Sequence, residues 1–258
     1  MELAADPRRI DLWCACISEI RDDSLWPRYD ALLSEDERGR QARFRFAGDR
    51  RRFLVTRALV RTVLSRYAAV SPRDWAFAAG PRGRPAISAP SPAPALEFNI
   101  SHSSDLVMLG VTSGRALGID VESIEGRAAD IGGLDRYFAL EESAALLSLP
   151  AAARRRRFFE LWTLKESYLK ARGLGLAIAL DAFRFELTGE RGLTLHMRPE
   201  LGDSPGAWRL WQLAPRPGYL AAVCAARGEN APPAITVREI VPLACEKVTD
   251  IAPSRGTD

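Results

Sequence analysis

The sequence predicts an α+β fold in which helices pack against mainly antiparallel sheets. A strand-like segment at residues 11–17 opens the chain, and a long stretch with helical periodicity follows it over residues 32–70. Three strand-like segments then lie between residues 96 and 124, and two helical segments precede five short strands. Because helices and strands are grouped rather than strictly alternating, a doubly wound parallel sheet is disfavoured.

The composition is that of a globular protein with an ordinary core. The chain has 258 residues, of which 47% are hydrophobic and 27% charged, enough for one large domain or two small ones. No apolar run approaches the roughly 20 residues that span a bilayer. The four cysteines form no CxxC pair, and no signal peptide is recognisable at the N-terminus. We therefore expect a cytoplasmic protein with reduced thiols and no membrane contact.

The positive charge is concentrated in the N-terminal half. The net charge is only +3, but arginines crowd residues 38–66, where acidic residues are scarce. One face of this half should be electropositive and suited to phosphates, nucleic acid or an acidic protein. An ordinary solvated helix face is the alternative, and the same two interpretations apply to the arginine run at residues 154–157.

Helix boundaries are marked in both helical regions. Ser34 followed by Glu37 forms a capping box, which predicts a helix start, and the periodicity beyond Phe53 predicts one long amphipathic helix ending before residue 71. Later in the chain, helices are predicted over residues 139–149 and 151–173. Gly173 is a typical residue immediately after a helix end.

The segment "LGIDVES" carries two carboxylates on a predicted strand. Asp120 and Glu122 are two residues apart and therefore point to the same face. Two adjacent carboxylates repel each other unless a cation or a proton lies between them. A solvated strand edge is the simpler explanation of such a pair, but the flanking residues here are apolar. The pair is therefore a candidate cation site.

A third carboxylate belongs to the helical segment "FFELWTLKESYLKARGLGL". Glu166 lies in line with Trp162 and Leu169 at helical spacing, so it should sit at the edge of a core, where a charge needs a partner. Lys170, one turn further on, is a candidate partner. An ordinary surface pair of Glu and Lys remains the alternative interpretation.

Three carboxylates without cysteine or histidine neighbours suit a hard cation such as Mg²⁺. Basic residues elsewhere in the chain would neutralise phosphate charge, so the set indicates phosphoryl chemistry with electrostatic stabilisation. A magnesium-dependent nuclease is the runner-up from another enzyme class. The order Lys165–Glu166 argues against it, because the nuclease pattern is E-x-K after a strand carboxylate. We therefore expect no nucleic-acid partner.

Three segments together resemble the signature blocks of the 4′-phosphopantetheinyl transferase superfamily: "FNISHS", "LGIDVES" and "FFELWTLKESYLKARGLGL". The similarity is closer to the large surfactin-synthetase-activating type than to the small trimeric holo-acyl-carrier-protein synthases. It extends from about Leu32 to Ile240, nearly the whole chain. The G-I-D-x-E and W-x-x-K-E-S-x-x-K blocks at matching separation are specific, whereas "SHS" or "GRP" alone would be weak.

The resemblance implies two similar α+β halves related by a pseudo-twofold, with coenzyme A in the cleft between them. It implies an N-terminal half over residues 1–114, a C-terminal half over 115–245, and a flexible tail over 246–258, in a monomer. The implied reaction moves phosphopantetheine from coenzyme A to a serine of an acidic acyl, peptidyl or polyketide carrier protein and releases 3′,5′-ADP. A non-catalytic coenzyme A or carrier-binding module is the third alternative.

The resemblance also assigns roles to individual residues. Magnesium, for which Mn²⁺ can substitute, would be held by Asp120, Glu122 and Glu166. Catalysis would use Glu166 as the candidate base, with Lys165 and Lys170. Coenzyme A would be contacted by Arg40, Gly83, Arg84, Pro85, Ser101, His102 and Lys170. Where the family has another basic residue before the Arg40 position, this chain has Glu37, and Arg38 or Arg43 are candidate substitutes.

His102 has three open interpretations: a contact to a coenzyme A phosphate, a structural histidine, or an acid or base. The phosphate contact is favoured. A serine-hydrolase interpretation would require a nucleophile elbow such as G-x-S-x-G, and none surrounds Ser101 or Ser103.

Overall fold

A computed structural model describes residues 3–80, 83–125, 137–173, 178–228 and 231–257. These residues form two main sheets, two separate hairpins and five helices, and the predicted α+β class is confirmed. None of the helices in the described ranges is long and apolar enough to cross a membrane. The helices are α1 (Leu25–Asp30), α2 (Glu35–Ala42), α3 (Ala47–Leu64), α4 (Leu140–Leu147) and α5 (Ala151–Arg172).

The strands follow the order expected from the sequence, with short additions at the C-terminus. They are β1 (Arg9–Cys16), β2 (Ala76–Ala79), β3 (Pro85–Ala89), β4 (Glu97–Ser103), β5 (Leu106–Thr112), β6 (Leu117–Ser123), β7 (Phe183–Thr188), β8 (Gly192–Met197), β9 (Trp208–Leu213), β10 (Tyr219–Ala226), β11 (Ala234–Val241), β12 (Cys245–Thr249) and β13 (Arg255–Gly256).

The first sheet has the order β12-β11-β1-β5-β4. Its neighbours are antiparallel except β1 and β11, which run parallel with Arg9 opposite Ala234. Helix α3 covers this sheet, and Val55, Leu59 and Val63 are fully buried in the core between them. The N-terminal sheet therefore includes strands from the C-terminal end of the chain.

This arrangement corrects two sequence-based expectations. Strand β11 lies within the predicted C-terminal half, 115–245, yet it belongs to the first sheet. The tail, predicted to be flexible over 246–258, contributes most of β12 to that sheet and β13 to the other. Pairing between the two ends of a chain leaves no signal in local periodicity, so the sequence could not predict it. The division near residue 114 and the pseudo-twofold stay predictions.

The second sheet has the order β13-β9-β10-β6 and packs against α5. Tyr168 and Leu164 on the helix are fully buried in its core. A third core cluster is shared by both sheets and includes Leu12, Met108 and Ile119. The two sheets are therefore joined by continuous apolar packing.

A row of side-chain hydrogen bonds also joins the sheets along β4 and β6. Alternate side chains of β4 accept hydrogen bonds from alternate backbone amides of β6: Asn99 Oδ1 from Ile119 N (2.9 Å), Ser101 Oγ from Val121 N (3.3 Å) and Ser103 Oγ from Ser123 N (3.1 Å). We call this row the β4–β6 seam. Residues 113–116 carry the chain from the first sheet to the second, so β5 and β6 do not pair.

The predicted helix boundaries are largely confirmed. Ser34 and Glu37 form the capping box at the start of α2, and Gly173 follows α5 with φ of 63°. The stretch predicted to be helical almost throughout is interrupted after Ala42, and α3 starts at Ala47. The carboxylate-bearing helix α5 is continuous, which fixes the relative positions of all its polar side chains.

Helix α5 approaches β6 most closely at Gly118. A Cβ atom at this position would lie 2.0 Å from the Ser167 carbonyl oxygen and 2.3 Å from the Ala171 amide nitrogen. Both atoms belong to helix backbone and cannot move aside as a side-chain tip could. The glycine of "LGIDVES" is therefore required by close approach of the backbones.

We expect Gly118→Ala to destabilise the protein by about 1–3 kcal/mol or more, the usual range for overpacking. Urea unfolding would measure the change. Gly48→Ala is the matched control, because a Cβ there meets nothing within 4 Å and alanine favours the helix. Equal stability of Gly118→Ala and wild type would contradict the close packing.

Candidate active site

The two carboxylate motifs meet where β6 lies against α5. Asp120 and Glu122 lie two residues apart on β6 and share one face of the strand. Glu166 and Lys170 lie one turn apart on α5. Lys170 Nζ donates to Asp120 Oδ1 at 2.7 Å, so the strand and the helix are linked by an ion pair at this point.

Asp120 is the most enclosed of these carboxylates, with 4% of the residue exposed. Its Oδ1 accepts hydrogen bonds from Ser101 Oγ at 2.9 Å and from Lys170. Its Oδ2 is buried without a hydrogen-bond partner among the described residues. Burial raises the pKa of Asp120, and Lys170 and Ser101 oppose that rise. One oxygen is therefore held and the other is left for a further ligand.

Glu122 and Glu166 differ in how they are held. Glu122 Oε2 accepts a hydrogen bond from Ser103 Oγ at 2.6 Å, and both Ser103 and the nearby Trp162 indole oppose the rise in its pKa. Glu166 has no hydrogen bond to any residue that the structure describes. Burial is the main cause that raises the pKa of each, and repulsion from Asp120 adds to it. Glu166 is the freer of the two to exchange a proton.

The donor set fits a hard divalent cation. Burial raises the pKa of all three carboxylates, and mutual repulsion adds to the rise at Glu122 and Glu166; a cation would relieve both effects. The unpartnered Asp120 Oδ2 provides a ligand atom already desolvated. Within the described ranges, no three His, Cys, Asp or Glu side chains are close enough to form a completed metal site.

Lys165 lies on another side of α5 from Lys170, and its catalytic role stays a prediction that its contacts do not favour. Its side chain is fully buried and forms an ion pair with Glu142 at 2.8 Å. The ammonium also donates to the carbonyl oxygens of Leu180 and Phe183, each at 2.7 Å. All three donor hydrogens are thus used on the side of α5 that packs against β7. Burial lowers the pKa of Lys165, and Glu142 opposes this effect.

The predicted "GRP" turn lies beside the C-terminal end of α5. Gly83 has φ of 84°, a conformation that favours glycine, and Pro85 begins β3. Arg84 donates to the Lys170 carbonyl at 3.1 Å and pairs with Glu97 at 3.3 Å. The turn is therefore anchored next to the residue that contacts Asp120.

His102 is exposed and points away from the carboxylates, since its neighbours on β4 face β6. Partial desolvation lowers its pKa, and the positive charges of Arg52 and Lys170 lower it further. The second histidine, His196, lies on β8 and contacts Glu186 at 2.9 Å. The charges of Lys170 and Asp120 act on the pKa of His102, so this histidine lies near the site.

The N-terminal basic residues divide into exposed and structural groups. Arg40 is exposed on α2, as a contact to a ligand would require. Glu37 is buried and pairs with Arg61 at 2.7 Å and with Arg57 at 3.7 Å. The acidic residue at the position that is basic in the family therefore supports the packing of α2 on α3.

The second arginine run is mostly engaged within the protein. Arg154 caps α4 through the carbonyls of residues 147 and 149, and Arg155 donates to the Ile124 carbonyl. Arg156 and Arg157 pair with Glu160. These contacts favour a structural role for the run.

Sequence reasoning missed the residues that hold the carboxylates. Ser103 donates a hydrogen bond to Glu122, and Asn99 fixes the register of the β4–β6 seam. A usable signal was present: the S-x-S spacing on β4 equals the D-x-E spacing on β6. Two strands with equal spacing can place one hydroxyl beside each carboxylate.

We expect Lys165→Met to destabilise the protein by about 3–5 kcal/mol, because it leaves Glu142 buried without a counter-charge. Urea unfolding would measure this loss. The double variant Lys165→Met/Glu142→Gln should recover a large part of it and keep near-normal turnover. Lys247→Met, which removes an exposed ion pair with Glu239, should cost less than about 1 kcal/mol. If the double variant is stable but has lost turnover, a catalytic role for Lys165 would be supported.

Comparisons with known proteins agree with this geometry. The family profile described as "4′-phosphopantetheinyl transferase superfamily" matches residues 116–224, and "4′-phosphopantetheinyl transferase, N-terminal" matches residues 22–113. The first match contains β6 and α5, and the second contains the basic helices and β4. Both motif-bearing segments therefore lie within matched regions.

Three relatives are similar over most of the chain. The 4′-phosphopantetheinyl transferase HetI of Nostoc sp. is 36% identical over 76% of this chain and 79% of its own length. The 4′-phosphopantetheinyl transferase Sfp of Bacillus subtilis is 32% identical, over 77% and 84%. A phosphopantetheinyl transferase of Thraustochytrium sp. is 30% identical, over 80% and 76%. This chain belongs to the 4′-phosphopantetheinyl transferase superfamily and to its large, Sfp-like type.

Proposed function

We propose that this enzyme transfers the phosphopantetheine group of coenzyme A to a serine hydroxyl of an apo carrier protein and releases 3′,5′-ADP. One observation carries the proposal. Asp120, Glu122, Glu166 and Lys170, from two distant motifs, converge where β6 lies against α5. Membership of the superfamily supports the same reaction. No observation favours a nuclease or a binding module that lacks catalysis.

Asp120, Glu122 and Glu166 are the residues that would hold Mg²⁺, or Mn²⁺ in its place. When bound, the cation supplies Lewis-acid stabilisation of the pyrophosphate and of the leaving 3′,5′-ADP. Lys170 holds Asp120 in place and adds positive charge beside a phosphate. The Lys170 side chain is about one-quarter exposed, so it can contact Asp120 and a ligand together.

The transfer requires that the carrier serine lose its proton as its oxygen attacks the β-phosphorus. The new serine O–P bond forms as the bond between that phosphorus and the bridging oxygen breaks, and 3′,5′-ADP departs with the electron pair. Glu166 is the candidate base: its carboxylate has no hydrogen-bond partner among the described residues. Burial and the neighbouring carboxylates raise its pKa, which improves it as a proton acceptor.

Coenzyme A would lie between the GRP turn and the exposed end of the β4–β6 seam. His102 and Arg40 are exposed and available for phosphate contacts, while Arg84 lies in the anchored turn. We further propose an acidic carrier protein as the partner, a cytoplasmic location, and a monomer. The basic segment from Arg40 to Arg51 offers charge complementary to an acidic carrier.

Intact-mass spectrometry tests the reaction directly. A panel of apo carrier proteins, incubated with this enzyme, coenzyme A and Mg²⁺, should include members whose mass increases by one phosphopantetheine unit. EDTA or Asp120→Asn should lower the rate at least about 100-fold, because the metal-binding charge is removed. Asp181→Asn is the matched control, since that carboxylate pairs with Arg198 in an exposed contact.

Carriers that bind the enzyme but never gain mass would contradict the proposed transfer and support a binding module. Modification that continues unchanged in EDTA would instead contradict the metal assignment alone. The pattern across fatty acid, polyketide and nonribosomal peptide carriers would show the preferred partner.

We expect His102 to make the affinity for coenzyme A depend on pH. Desolvation lowers its pKa in the free protein, which favours the neutral imidazole. A bound phosphate favours the imidazolium form and raises that pKa, so binding takes up a proton. Affinity should therefore increase from pH 8 to pH 6, by up to about tenfold for a one-unit difference in pKa.

Calorimetric titration of coenzyme A at several pH values would measure the effect. His102→Ala should bind coenzyme A more weakly and lose the part of the pH dependence that His102 causes, while His196→Ala should match wild type. Because coenzyme A titrates equally in every experiment, the difference between the variants reports His102 alone. Unchanged affinity combined with lost turnover in His102→Ala would assign His102 to acid–base chemistry instead.

A further inference from the structure

The two serines of the "SHS" segment use their hydroxyls in the same way. Ser101 Oγ donates to Asp120 and accepts from Val121 N, and Ser103 Oγ donates to Glu122 and accepts from Ser123 N. Each serine therefore contacts a carboxylate and the backbone amide of the next residue. This repeated pattern links the orientation of each carboxylate to the register of the β4–β6 seam.

The hydrogen-bond capacity of Ser101 is fully used. A serine hydroxyl has one hydrogen to donate and two lone pairs to accept with. Ser101 donates to Asp120 Oδ1, and its lone pairs accept from Val121 N and from Lys170 Nζ at 3.1 Å. No capacity remains for a coenzyme A phosphate. This geometry does not favour a contact between the Ser101 hydroxyl and coenzyme A, and a contact through the Ser101 backbone stays a prediction.

The Ser103 hydroxyl has only one hydrogen, and Glu122 Oε2 takes it at 2.6 Å. This is the hydrogen bond that holds Glu122 among the described residues. A glutamate side chain has three rotatable bonds, so without this donor it would adopt several orientations.

We propose that Ser101 and Ser103 are positioning residues, each fixing one of the two β6 carboxylates for cation binding, and that Ser103 acts on Glu122. The inference rests on the proposed function, because it assumes that Glu122 holds the cation. Ser103 does not touch the substrate or the reacting atoms. Groups that orient metal ligands in this way typically change metal affinity 10- to 100-fold when removed.

The test is the affinity for Mn²⁺, measured from the loss of the free-ion electron paramagnetic resonance signal with saturating coenzyme A and no carrier protein. We expect Ser103→Ala to weaken Mn²⁺ binding by about 10- to 100-fold. At saturating metal, its KM for coenzyme A should stay within about twofold of wild type, an effect that a phosphate contact would not show. Ser113→Ala is the control, because that hydroxyl bonds to the Ala95 carbonyl away from the site.

The pair Ser103→Thr and Ser103→Val separates the hydroxyl from its packing, because the two side chains have nearly the same shape. Threonine should retain most of the Mn²⁺ affinity and valine should lose it. Equal affinity of the two, or wild-type affinity in Ser103→Ala, would overturn the positioning role. A raised KM for coenzyme A at saturating metal would show direct contact instead.

These outcomes differ from failure of the proposed function. Wild-type enzyme that modifies carriers but binds no Mn²⁺ with coenzyme A would overturn both the metal assignment and this inference. If wild-type enzyme binds Mn²⁺ but modifies no carrier, the proposed transfer reaction is wrong. The Mn²⁺ affinities of the Ser103 variants would still test the positioning role.

Discussion

The β4–β6 seam is the constraint on which the rest of the site depends. Strand β4 is the edge of the first sheet and β6 is the edge of the second, so ordinary backbone pairing does not continue between them. Side chains of β4 take the place of backbone acceptors, and the unpaired amides of β6 are satisfied. Without these bonds, buried amides would be left unpaired, at a cost of about 1–3 kcal/mol each. The seam therefore holds both sheets in one register.

The β4–β6 seam also allows Asp120 and Glu122 to be buried, because its serine hydroxyls donate hydrogen bonds to them. Burial raises the pKa of Asp120, Glu122 and Glu166, and each raised pKa reflects a cost of keeping the charge. Lys170 and the serine hydroxyls offset part of this cost at Asp120 and Glu122, whereas at Glu166 the charge of Lys170 offsets it without any hydrogen bond from the described residues. Asp120 and Glu122 are therefore held by hydrogen bonds, and Glu166 is not.

Local patterns predicted most elements and the carboxylate set, because helix periodicity, the capping box and the D-x-E spacing are properties of neighbouring residues. They could not predict that β11 pairs with β1 or that β6 leaves the first sheet, since those contacts join residues far apart in sequence. The different surroundings of Lys165 and Lys170 have a geometric cause. Five residues of helix turn about 500°, so Lys165 and Lys170 point about 140° apart, and only one faces β6.

The spacing within "LGIDVES" follows from the contact with α5. Gly118, Asp120 and Glu122 occupy alternate positions and therefore share the face of β6 that meets the helix. Gly118 lets the backbone of α5 approach at residues 167 and 171, while Glu122 meets Trp162 nearer the start of the helix. Strand β6 and helix α5 are therefore antiparallel, and their backbones come close together at Gly118. A glycine two residues before the first carboxylate brings the helix near enough for Lys170 to reach Asp120, so the motif sets the distance between strand and helix as well as the positions of two carboxylates.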